Sequence, residues 1–152
     1  MADHGMGQKM SEAVINKIEV RNVFKVFGKR EKEALAMIKE GQSKADVLAK
    51  TGSVVGINDL SLSIQAGEVF VIMGLSGSGK STLVRHFNRL IDPTSGQILV
   101  EGENILEYDM PTLRQFRRQK ISMVFQNFGL LPHRNVLENV AYGLKVLSLI
   151  HI

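Results

Sequence analysis

An α/β fold is predicted, with parallel strands and helices arranged around one glycine-rich loop. Three observations predict it. Gly74-Leu75-Ser76-Gly77-Ser78-Gly79-Lys80-Ser81 has the form G-x-x-x-x-G-K-[ST]. Before it, Val69-Phe70-Val71-Ile72-Met73 is a continuous apolar run, as in a strand buried on both faces of a parallel sheet. After it, Leu83, Val84, Phe87, Leu90 and Ile91 recur at helical spacing as far as Asp92-Pro93. Strand, glycine loop and helix in that order place bound anions on a helix N-terminus, where unpaired N–H groups and the helix dipole favour them.

Each fixed position of the loop answers a physical need. Glycines at 74, 77 and 79 let the backbone approach a ligand without a Cβ in the way. The amides of this stretch, those of Ser76 and Ser78 included, can then converge on phosphate oxygens. Lys80 supplies a mobile charge for the β- and γ-phosphates and is the first catalytic candidate. The Ser81 hydroxyl is placed to ligate a bridging Mg²⁺, and Thr82 adds a further phosphate contact. A Gly/Ser linker matching by chance is the plain alternative, and the flanking patterns count against it.

The 152 residues suggest one domain or part of a larger one, and 44% apolar content excludes a wholly disordered chain. The net charge of +4 is spread among acidic residues without a basic block, so no nucleic-acid partner is expected. There is no cysteine, hence no disulfide or thiolate metal site. No secretory signal is visible in Met1–Lys9, and no apolar run approaches the roughly 20 residues that cross a bilayer. Membrane association is therefore expected only through a partner.

Taken in order, residues 1–16 are mostly small and polar and predict a flexible N-terminus. Lys17–Phe27 alternates and predicts a strand at the edge of the domain, with Phe27 ahead of a turn where its ring can stay exposed. Asn16-Lys17-Ile18-Glu19 imitates a guanine-specificity motif, but it precedes the phosphate loop instead of following it. Residues 29–53 interrupt the β pattern with two helices. The first runs Glu31–Glu40, pairs Leu35 with Ile38 on one face and stops at Gly41; the second has Ser43 and Asp46 as a capping box and ends before Gly52. This insertion reads as a surface decoration without a separate activity. Alternation returns from Val54 to Ile64.

Beyond the loop helix, Gln97–Val100 and Ile105-Leu106 flank a polar turn at Glu101–Asn104, a small antiparallel excursion. Asp109 and Pro111 open a helix to about Gln119, with Leu113 and Phe116 inward and Arg114, Arg117 and Arg118 on a solvated face. Ile121-Ser122-Met123-Val124-Phe125 repeats the buried-strand pattern and ends in Gln126. A glutamine leaving a strand can be a plain loop residue. At the ligand-binding edge of an α/β sheet its amide can instead contact Mg²⁺ or orient a water, which makes it the second catalytic and metal candidate.

With Phe27, the phosphate loop and Gln126 in hand, the chain resembles the ATP-binding subunits of ABC transporters over about Lys17–Val146. The resemblance implies a P-loop NTPase nucleotide-binding domain with an antiparallel β subdomain, truncated at its C-terminus. It implies ATP and Mg²⁺ as cofactors, with Phe27 in Lys25-Val26-Phe27-Gly28 stacking on adenine and Met123-Val124-Phe125-Gln126 as the Q-loop. Asn127–His133 would face transmembrane permease subunits, a second ATPase subunit would complete a homodimer, and an extracytoplasmic binding protein would act indirectly. The location implied is the cytoplasmic face of the membrane. The helical insertion, the stretch Phe70–Thr82 and Leu131-Pro132-His133 are similar to the glycine betaine/proline branch, which imports quaternary-amine osmoprotectants.

Three of the family's motifs do not occur here: the Leu-Ser-Gly-Gly-Gln signature, the apolar strand ending in Asp-Glu, and the switch histidine. His133 and His151 lack the context for that last role, and His86 on the loop helix is expected to be structural. The segment 147–152 continues as an apolar tail where the family stays polar, as an incomplete or frame-shifted reading would. The chain thus holds the ATP-gripping half, with little turnover expected. A non-transport ABC ATPase and an inactive nucleotide-binding fragment are the alternatives.

Overall fold

The computed structural model describes residues 16–125 and 129–146 and divides into two units, one ending at Lys120 and the other beginning at Ile121. The first unit is built on an antiparallel sheet. β1 (Asn16–Phe27) pairs on one side with β2 (Val54–Gln65) and on the other with β3 (Ser95–Val100), which turns into the short β4 (Glu103–Asn104). The strand expected at a domain edge is therefore an inner strand of its sheet. Val20, Val23 and Val26 are buried on it, as are Ile98 and Val100 on β3 and Val55 and Ile57 on β2. Alternation is broken where Asn22 and Asp59 take φ +46°, and Asn22 Nδ2 donates to Asp59 Oδ1 at 3.0 Å across this bulge.

The insertion folds into α1 (Glu31–Lys39) and α2 (Lys44–Thr51). Gly41 closes α1 at φ +87°, with its N–H on Ile38 O and that of Gln42 on Met37 O, a Schellman closure. Ser43 Oγ accepts from the Asp46 amide at 3.1 Å and donates to the Asp46 carboxylate at 2.6 Å. Gly52 ends α2 in the left-handed region. Ala34, Met37, Ile38 and Val47 share one core with Phe24, Val26 and Val55. The helical pair is thus fastened to the sheet by buried apolar surface.

α3 (Lys80–Phe87) is shorter than its apolar periodicity predicted. Arg89 takes φ +52°, its N–H bonding His86 O and that of Leu90 bonding Arg85 O, so the helix closes before Leu90. Two guanidinium groups hold this closure. Arg89 reaches Asp92 Oδ1 at 2.8 Å and Tyr108 O at 2.7 Å, while Arg117 donates to Asn88 O at 2.9 Å and Arg89 O at 2.6 Å. Arg117, expected on a solvated face, is half-buried, because it serves carbonyls that the helix itself leaves unpaired. It extends from α4 (Met110–Gln119), capped by Asp109 Oδ1 on the Thr112 amide at 2.9 Å and buried through Leu113 and Phe116.

Two expected strands are not formed. Val69–Met73 has no strand partner among the described residues, and Val69, Val71 and Met73 are largely exposed. Ile121–Phe125 is likewise irregular, with Val124 and Phe125 exposed. A parallel strand needs neighbours to pair its backbone and helices to cover its faces. An apolar pattern alone supplies neither.

In the second unit, α5 (Val136–Val146) opens with a capping box: Asn135 Oδ1 accepts from the Glu138 amide at 2.9 Å, and Glu138 Oε2 accepts from the Asn135 amide at 3.1 Å. The Asn139 side chain ties the preceding turn down, accepting from the Leu131 amide at 2.8 Å and donating to Arg134 O at 3.0 Å. Among the described residues no helix is long and apolar enough to cross a membrane.

Candidate functional site

The loop at 74–81 runs straight into α3, whose N-cap is Gly79 at φ +94°. No side chain caps this helix and its first turn holds no acid, so its N-terminal amides lack the protein's own counter-charge. Gly77 at φ +78° and Gly79 require the left-handed region. At Gly74 a Cβ would stand 2.8 Å from Ser78 Oγ. The Lys80 ammonium lies over the loop, donating to Gly74 O and Leu75 O at 2.7 Å each and standing 3.5 Å from Ser78 Oγ. Ser76, Gly77, Ser78 and Ser81 are exposed, and Thr82 is half-buried.

Beside the loop lies a cavity of about 330 Å³. Gly74, Ser78, Gly79 and Lys80 form one side of it, and Gly56, Ile57 and Asn58 of β2 form the other. Among the described residues, those of its lining that ionise are Lys44 and Lys80. A neutral wall with two cations and no carboxylate suits a polyanion and disfavours a cationic ligand.

Phe27 reaches the same region through Gly56. A Cβ on Gly56 would come 2.8 Å from Phe27 Cε2, and a Cβ on Gly79 would come 2.6 Å from Gly56 O. The aromatic ring and the glycine-rich loop thus meet at the same residue. Phe27 is 39% exposed, and the Lys25 ammonium stands 5.1 Å from its ring centroid and 3.8 Å from the Glu31 carboxylate. Gly56 and Lys44 escaped the sequence reading. A glycine inside an alternating strand was the available signal for the first, since it marks close backbone approach. No local pattern marks the second.

Gln126 lies outside the described residues, as do Asn127 and the tail at 147–152. His86 is fully buried on α3, its ring Nδ1 2.6 Å from Ile91 O. Burial is the main influence holding its pKa below the ordinary histidine value.

The family model described as ABC transporter matches residues 57–151. This chain belongs to the ABC transporter family. It is 52% identical over 130 residues to the glycine betaine/proline betaine transport system ATP-binding protein ProV of Escherichia coli K12, covering 86% of this chain and 32% of that protein. It is 54% identical over 130 residues to the glycine betaine transport ATP-binding protein OpuAA of Bacillus subtilis 168, covering 86% of this chain and 31% of that one. The ABC chain described here thus spans about a third of the length of these curated relatives. Among solved structures, the dimeric MJ0796 bacterial ABC transporter cassette aligns with a TM-score of 0.64 at 32% identity, over 85% of this chain and 47% of that one.

Proposed function

We propose that this chain is the ATP-gripping part of a subunit that hydrolyses ATP to drive import of glycine betaine/proline-type osmoprotectants. One observation carries the reading: an uncapped helix N-terminus and the Lys80 ammonium border a cavity that reaches, through Gly56, the residue against which Phe27 packs. An adenine on Phe27 with a triphosphate on Gly74–Thr82 accounts for both ends. The names of the relatives, all transport ATP-binding proteins, support the transport role.

In this reading the chain's own residues bind and orient. Phe27 offers a flat apolar face, the loop amides and Lys80 hold the β- and γ-phosphates, and Thr82 adds a contact. Among the described residues no cluster of acids and histidines could cage a metal ion. Mg²⁺ would therefore be held by the Ser81 hydroxyl and the Gln126 amide together with phosphate oxygens, and it would neutralise charge on the transferring phosphoryl group. Asn127–His133 would relay the state of this site to permease subunits, at the cytoplasmic face of the membrane. A second ATPase subunit would complete a homodimer, and a substrate-binding protein would act from the far side of the permease.

Calorimetric titration with MgATP tests the reading. Saturable 1:1 binding is expected, weakened at least about tenfold by Lys80→Ala, the scale of one lost charge-assisted contact. Absence of binding, or equal affinity in the variant, would overturn it. Phosphate release is expected to stay at background, since the chain lacks the Asp-Glu strand end and the signature motif. Turnover that disappears in Lys80→Ala would refute that inactivity.

A further inference from the structure

We infer that Lys44 of the helical insertion is a second cation for the phosphate chain of the bound nucleotide, which makes the insertion part of the nucleotide site. The inference rests on the ATP-binding reading above and concerns the same cavity. Among the described residues, Lys44 and Lys80 are its charged lining, and they reach it from different elements. Lys80 comes from the loop helix and is held by two loop carbonyls at 2.7 Å. Lys44 is the first residue of α2 and is exposed.

Two further facts make Lys44 available and well placed. No carboxylate pairs with it among the described residues, and Asp46, two residues on, is engaged by the Ser43 hydroxyl at 2.6 Å. Its backbone is also fixed. The Ser43 cap starts α2, and Val47, with no exposed surface, packs into the core formed with Val26 and Val55. The ammonium therefore swings on a four-carbon stem from a fixed base, over a cavity that runs from Gly56, beside Phe27, to Lys80. A nucleoside polyphosphate spanning that length passes both cations, whereas an uncharged nucleoside gains nothing from Lys44.

The experiment compares the full chain with Lys44→Ala, Lys44→Arg and Lys80→Ala, titrating each with MgATP and with adenosine in competition with a fluorescent ATP analogue. Lys44→Ala is expected to raise the MgATP Kd about three- to fivefold, as for one partly screened ion pair. Adenosine binding should not change, Lys44→Arg should restore ATP affinity, and added salt should narrow the difference between wild type and Lys44→Ala. Unchanged ATP affinity in Lys44→Ala, with Lys80→Ala still weak, would overturn this inference and leave the nucleotide site intact. Equal weakening of ATP and adenosine would also overturn it, as a structural effect. Failure of the wild-type chain to bind MgATP would remove the underlying reading itself.

Discussion

The run around Ile98 on β3 and the run Val69–Met73 carry the same apolar signal and meet opposite fates. Ile98 has no exposed surface, whereas Val71 is 68% exposed. The first run lies beside β1, in register from Ile18↔Val100 to Arg21↔Gln97. The second has no strand partner among the described residues. Hydrophobicity states a demand for burial, and topology decides whether it is met. β3 also has β4 on its other side, through the short turn at Glu101-Gly102 where both residues take positive φ. A parallel neighbour requires a crossover of a dozen residues or more.

The sharpest way to break this contrast is to truncate one side chain from each run. Ile98→Ala should cost about 2–5 kcal/mol in denaturant unfolding, through lost burial and the cavity left behind. Val71→Ala should change stability by no more than about 0.5 kcal/mol. Similar losses at both positions would mean that the second run is buried in solution, which would undo the comparison.

A smaller effect is expected where local chemistry alone is at stake. Asp109→Ala removes the acceptor for the Thr112 amide and should cost about 1 kcal/mol, a typical N-cap loss. The change should appear in the unfolding midpoint, with the denaturant slope unchanged.

The smallest and most conditional effect concerns pH. His86 is buried, Nδ1–H donates to Ile91 O, and Nε2 has no hydrogen-bond partner among the described residues. Burial first and the Lys25 charge second depress its pKa, opposed by the Ile91 carbonyl and Asp92. The unfolded chain therefore binds this proton more readily than the folded one. The resulting stability is full above the ordinary histidine value of 6.5 and is lost as pH falls through it toward the folded value. Urea midpoints should drop between about pH 7.5 and pH 5.5, and His86→Gln should flatten that slope. A slope retained in the variant would assign it to other groups. Glu101 does not contribute in this window, because Lys17 and Lys120 hold its pKa down to about 2.

Local devices were legible in the sequence because their chemistry is complete within a few residues. Ser43 with Asp46, the helix-stopping Gly41 and Gly52, and Asp109 ahead of Pro111 all adopt the predicted roles. The glycine-rich loop at 74–79 was legible as a loop for the same reason, its glycines lying close together ahead of Lys80. Arg117 was not, since its partners at Asn88 and Arg89 lie 29 and 28 residues away. Nor were Gly56 and Lys44, whose place beside the loop depends on how β2 and α2 pack. The helical pair read as a surface decoration shares its core with the central strands, which spacing along the chain could not reveal.

The contact at Gly56 bears on how proteins of this design can diverge. A methyl group at Gly56 would have to push the end of the Phe27 ring aside, whereas one at Gly79 would meet the Gly56 carbonyl itself. Exchange is therefore harder at Gly79, which is also held at φ +94°, than at Gly56, where a ring can turn aside.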